Sequence, residues 1–284
     1  MKQYLAGIII LASFAATGQN FTTCKVYQYQ GNDSLNKQLV SEKTYNSKGK
    51  LTSDWYKGYR EDLIENFENK HEKYFYEDTL LTKIVSGDDN GDSTYIYFFY
   101  NEKGQKTQEV HHTYQSHPDA TNARHNNGLV ITMEDDTRNK SRKITKRISY
   151  FYDERGNTVM RKDEDLQFHW RTNDSLVYDS KNRLVELSSY NGNKLEKKMK
   201  YTYSKKAYSY IYISYKENGD SDTLYKVTKR LNGNGKITDE KVEAKVSYWE
   251  SSTNMKYNKK GNLIRETIFD RKGNPEITHI YVYE

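Results

Sequence analysis

One short turn signature recurs along this chain and constrains its fold more than any other feature. It consists of an aromatic residue, an Asn or Asp beside it, a glycine three places further on, and an aliphatic residue two places past the glycine. Tyr45-Asn46-Ser47-Lys48-Gly49-Lys50-Leu51 and Tyr257-Asn258-Lys259-Lys260-Gly261-Asn262-Leu263 carry it in full. The Asx side chain can accept from the backbone ahead of it and open a type I turn, and the glycine can take the positive φ that closes a bulged hairpin.

Aligned on this glycine, the turns fall at Gly49, Gly104, Gly128, Gly156, Asn182 (in the same slot), Gly235 and Gly261, with spacings of 55, 24, 28, 26, 53 and 26 residues. The two doubled gaps hold degenerate copies, Tyr74-Phe75-Tyr76-Glu77-Asp78 and Tyr201-Thr202-Tyr203-Ser204, so the underlying period is close to 26 residues. Each period accommodates two strands of about eight to ten residues and two turns. The aromatic before the turn and the aliphatic after it face each other across the hairpin, the ordinary unit of sheet stabilisation.

Tyr210-Ile211-Tyr212-Ile213 and Tyr95-Ile96-Tyr97-Phe98-Phe99-Tyr100 put apolar atoms on both faces of a strand, so neither face is wholly in water. The expected fold is therefore all-β, an antiparallel sheet of about ten repeated hairpin units of ~26 residues, curled or spiralled into a solenoid-like form and occupying residues 19–284 as one domain. Tyr281 and Tyr283 belong to its last strand, at an edge.

Composition supports a folded β protein with a thin core: 27 Tyr, 2 Pro, 30% charged and 35% hydrophobic residues. Such low hydropathy suggests disorder, but disordered chains are poor in aromatics, which here alternate with polar residues in strand-like runs. The 45 basic and 39 acidic residues (net charge +6) are interspersed without a basic stripe, which argues against a nucleic-acid partner.

At the N-terminus, Lys2, the apolar run Leu5 to Ala16 and the small residues Ala16-Thr17-Gly18 form an export signal over residues 1–18. Export would place the protein in the periplasm, on the outer-membrane surface or outside the cell. No segment is apolar enough to be a spanning helix. Cys24, the only cysteine, can form no internal disulfide and stands too far beyond the apolar run for the usual lipid-attachment pattern.

Tyr150-Phe151-Tyr152-Asp153-Glu154-Arg155-Gly156-Asn157, Tyr178-Asp179-Ser180-Lys181-Asn182-Arg183-Leu184-Val185 and Tyr257 to Ile264 resemble the YD repeats of Rhs-type proteins and teneurins, over roughly residues 40–284. That resemblance implies long antiparallel sheets spiralling into a shell, and it carries no catalytic residues. The aromatic-turn-glycine pattern is also similar to MORN-type immunity and antitoxin proteins, an alternative reading.

Two stretches break the period. Leu63, Ile64, Phe67 and His71 have helical spacing and predict a short helix within 60–71. His111, His112, His117, Asp119 and His125 lie close in sequence, and imidazole with carboxylate can hold zinc, so a metal-dependent hydrolase using this loop is the competing function. Other motifs fail. Asp88-Asp89-Asn90-Gly91-Asp92 lacks the glycine and glutamate of a calcium loop, Gly233-Asn234-Gly235 lacks the third glycine of a nucleotide site, and His71-Glu72 lacks a second histidine. No cofactor is expected. The primary expectation is an exported, non-enzymatic binding or scaffold protein of the envelope or extracellular space. Tyrosine rows at Tyr210 with Tyr212 and Tyr281 with Tyr283 would contact a carbohydrate or an envelope protein.

Overall fold

The structure is a computed structural model and describes residues 21–57, 69–88, 93–114, 143–245 and 250–284. The expected export signal (residues 1–18), Gly128 and residues 60–68 of the expected helix lie outside the described residues; His71 belongs to a strand. The strands are β1 (Thr23–Gln30), β2 (Gln38–Tyr45), β3 (Leu51–Tyr56), β4 (Lys70–Glu77), β5 (Leu80–Asp88), β6 (Ser93–Tyr100), β7 (Lys106–Tyr114), β8 (Lys143–Tyr152) and β9 (Thr158–Asp165). They continue as β10 (Trp170–Tyr178), β11 (Leu184–Asn191), β12 (Lys194–Tyr203), β13 (Ala207–Tyr215), β14 (Ser221–Leu231), β15 (Ile237–Ala244), β16 (Ser251–Tyr257), β17 (Leu263–Phe269) and β18 (Pro275–Tyr283).

The repeated turn has the geometry its sequence predicts. Gly49, Gly104, Gly156, Gly235 and Gly261 have φ between 71° and 85°, and Asn182 takes φ 62° in their place. Asn46 Oδ1 accepts from the backbone N–H groups of Lys48 and Lys50, both at 3.0 Å, and Asp179 Oδ1 from those of Lys181 and Arg183, both at 2.9 Å. The flanking residues pair directly, Tyr45 with Leu51, Tyr178 with Leu184 and Tyr257 with Leu263, each beside a register shift. Both degenerate copies also turn, between β4 and β5 and between β12 and β13.

All neighbouring strands pair antiparallel in chain order, and β1 pairs with β2 on one side and β18 on the other. Cys24 lies opposite Tyr283 and Val26 opposite Tyr281. The eighteen strands therefore form a closed barrel, which corrects the expected spiral or solenoid. The resemblance to YD-repeat proteins falls with it, because a ring closed by its first and last strands is not an open spiral of repeats. β18 is no edge, and closure removes every free edge from the sheet.

Strand direction alternates, so the turns at Gly49, Gly104, Gly156, Asn182, Gly235 and Gly261 share one rim. The strand ends that flank residues 58–68, 89–92, 115–142 and 246–249 stand at the opposite rim, with the turns at Gly192, Gly219 and Gly273.

Alternation divides every strand between two walls. In β4, Glu72, Tyr74 and Tyr76 are covered while His71, Lys73 and Phe75 are exposed. Side chains crowd on the concave side of a ring, so the better-covered row is the inner wall. Register carries that row around the barrel through Val26, Asp54, Tyr74, Ile148, Asp163, Tyr225 and Val227, all buried. The outer wall exposes Lys73, Lys162, Lys200, Lys226, Lys241 and Lys256. Some outer residues are covered by neighbours; buried Tyr29 accepts from Arg265 Nη2 at 2.9 Å.

Near the glycine-turn rim the outer wall is apolar on one side only. Phe75, Phe99, Phe151, Met160 and Val177 are exposed there on β4 to β10, whereas Thr202, Arg230 and Lys256 hold the corresponding place on β12 to β16.

Candidate functional site

The inner wall carries two chemically distinct regions. On β12 to β14 it is a tyrosine ladder. Tyr212 and Tyr225, directly opposed, stack with centroids 4.8 Å apart and planes within 9°, and Tyr201 meets Tyr210 at 5.3 Å. Burial pushes the Tyr210 hydroxyl up to about 12 and also raises those of Tyr212 and Tyr225, so all three remain neutral donors at physiological pH. Among the described residues no hydrogen bond joins the hydroxyls of Tyr210, Tyr212 and Tyr225 to a protein partner. The ring faces are spent on one another, so the ladder offers edges and hydroxyls.

Tyr281 and Tyr283 stand on the same wall at the seam, where the structure gives them packing roles. Tyr281 donates to Glu266 at 3.3 Å and Tyr283 to the carbonyl oxygen of Leu263 at 2.8 Å. Next to them, His279 bridges Glu266, at 3.0 Å, and Gln28, at 3.2 Å, across β17, β18 and β1. The Cys24 thiol lies under Tyr283; burial pushes it up to about 11, which makes it a core group and a poor nucleophile.

The second region, on β7 to β10, is an ion-paired cluster. Lys106 Nζ lies 3.0 Å from Glu109, and His111 Nε2 lies 2.8 Å from the same carboxylate. Burial opposes the charge on Glu109, but the hydrogen bond from His111 and the charge and hydrogen bond of Lys106 outweigh it and hold the carboxyl at about 2. Tyr150 donates to Glu109 at 3.2 Å, and its ring has Lys106 Nζ 4.4 Å from its centroid. Lys146 and Arg161 both contact Asp163 Oδ2, at 2.9 and 3.0 Å, and Arg161 reaches Asp174 at 3.2 Å.

The candidate metal residues are not brought together. His111 faces inward with Glu109, whereas His112, the next residue of β7, faces outward with its ring edge-on to Tyr97 at 5.3 Å. His117, Asp119 and His125 lie outside the described residues. Among the described residues no group of three or more His, Cys, Asp or Glu side chains is placed to hold a metal ion.

The chain path is similar to that of porin-like proteins. One from Bacteroides uniformis superposes with a TM-score of 0.45 at 12% identity, covering 93% of this chain and 96% of that one. Another, from Bacteroides vulgatus, gives 0.36 at 12% identity over 92% and 97%. A TcdB2–TccC3 structure without its hypervariable C-terminal region gives 0.19 at 10%, with 18% of that chain covered. The sequence matches no family description and no curated protein. Among the described residues no helix is long and apolar enough to cross a membrane.

Sequence reasoning missed the charged cluster. Its signal was present in Glu109-Val110-His111 and Arg161-Lys162-Asp163, where charged residues two apart share one face of a strand.

Proposed function

We propose that this protein is an exported, non-enzymatic barrel that stands in water and binds a carbohydrate chain along its tyrosine-bearing inner wall. The observation that carries this reading is the polarity of the two walls. A barrel seated in lipid needs a continuous outward apolar band roughly 25 Å tall, whereas here Lys73, Lys162, Lys226 and Lys241 are exposed on the outer wall of four separate strands. Buried Val26, Tyr74, Ile148, Tyr225 and Val227 are turned inward, and the exposed outward residues Phe75, Phe99, Phe151, Met160 and Val177 lie near one rim without closing a band around the barrel. Neutral phenol hydroxyls on rigid rings suit a hydroxyl-rich ligand, because each can donate and accept at little entropic cost.

The test is to titrate the purified mature protein with soluble polysaccharides by calorimetry, alongside a Tyr210→Phe/Tyr212→Phe variant that keeps the rings and removes the hydroxyls. Binding weakened about tenfold or more in the variant, the loss of one to two hydrogen bonds, supports the reading. No binding by the parent protein, or a barrel that needs detergent to stay dispersed, overturns it.

A further inference from the structure

We infer that the β7 to β10 wall is an anion-recognition subsite, and that the ligand is therefore an acidic polysaccharide; this rests on the carbohydrate reading above. The charges there are layered. The side chains of Asp163, Asp174 and Glu109 are only 7%, 13% and 14% exposed, while their partners Lys146, Lys106 and Arg161 are 32%, 30% and 36% exposed. The acids are thus sunk in the wall and the cations stand above them, so the interior meets positive tips. On the outer wall the Lys226–Glu243 pair is not layered, its two side chains being 50% and 46% exposed.

A second observation is that the two oxygens of Asp163 are used unequally. Asp163 Oδ1 is buried and has no hydrogen-bond partner among the described residues, whereas Oδ2 of the same carboxylate takes both Lys146 and Arg161. A sugar acid supplies an anionic group for the cationic tips of Lys106, Lys146 and Arg161. Arg161 is suited to such a group because its planar fork already divides between two carboxylates and can re-pair without losing its charge.

Calorimetry with three polymers separates the possibilities: polygalacturonate, its fully methyl-esterified form, and dextran. The subsite predicts that polygalacturonate binds at least about tenfold more tightly than the ester, the weight of one charge-assisted contact, and that salt weakens it. Lys146→Gln should remove most of that preference, with dextran binding unchanged. Lys146→Arg should restore it, and Lys226→Gln on the outer wall should have no effect. Melting curves establish that each variant is folded. Equal affinity for acid and ester, or an unaltered preference in folded Lys146→Gln, overturns the subsite. Dextran binding without any preference for the acid sinks this inference and leaves the carbohydrate reading standing, whereas no binding of any polymer sinks both.

Discussion

Tyr203 donates its hydroxyl to the carbonyl oxygen of Leu184, 2.8 Å away on the neighbouring hairpin. The same bond recurs around the glycine-turn rim from Tyr100 to Leu81, Tyr152 to Lys106, Tyr178 to Thr158, Tyr257 to Ile237 and Tyr283 to Leu263, at 2.7 to 3.1 Å. In each case a tyrosine near the end of a strand bonds a residue two or three places past the positive-φ slot of the preceding turn. The repeat therefore encodes the joint between hairpins as well as the hairpin itself. Tyr257→Phe should cost about 1 kcal/mol, and a Tyr203→Phe/Tyr257→Phe pair, on separate joints, should cost the sum. Urea denaturation of the three variants measures this.

Gly156 has φ 85°, and a Cβ there would sit 3.1 Å from Gln105 Nε2. Gly156→Val should therefore destabilise by about 1–2 kcal/mol or more, since the left-handed region is unfavourable to L-residues and worst for β-branched ones. Gly192 also has a positive φ, but nothing lies within 4 Å of its Cβ position. Gly192→Asn should be close to neutral. Melting temperatures of the pair separate backbone strain with crowding from tolerated strain.

Acid should weaken the β7 to β10 wall. Glu109 has a folded pKa depressed from 4.5 to about 2, the hydrogen bond from His111 and the charge of Lys106 outweighing burial. Its contribution is thus fully present above pH ~4.5 and is lost as pH falls through ~2, amounting to roughly 3 kcal/mol. Glu109→Gln should be less stable at neutral pH and should show a flatter loss of stability between those limits. Chemical denaturation at several pH values tests the sign.

Deleting residues 275–284 removes β18 and leaves β17 and β1 each paired on one side only. Two exposed edges should convert a dispersed barrel into an aggregating one. Size-exclusion chromatography should show the truncated chain eluting in the void, and a monodisperse truncation would contradict closure by β18.

The hairpins were legible because an Asx-Gly turn is a local event: Asn46, Asp179 and Asn258 bond groups no more than four residues away. Closure was not legible, because it depends on Val26 meeting Tyr281, and valine and tyrosine recur in strands that pair only with their chain neighbours. An edge strand and a seam strand read alike in one dimension. The separation of His111 from His112 was legible, since adjacent residues of a strand face opposite ways. The depth of Asp163 beneath Lys146 was not, because it follows from curvature that alternation alone does not specify.

Closure by whole hairpins sets how this architecture can change size. Each repeat contributes two strands and one complete joint to the ring, so inserting or losing one copy alters the circumference by about 10 Å of strand spacing while every strand keeps antiparallel neighbours. Tandem duplication of ~26 residues thus becomes a change of bore, and the chain's repetitiveness is a gauge for the width of what it can admit.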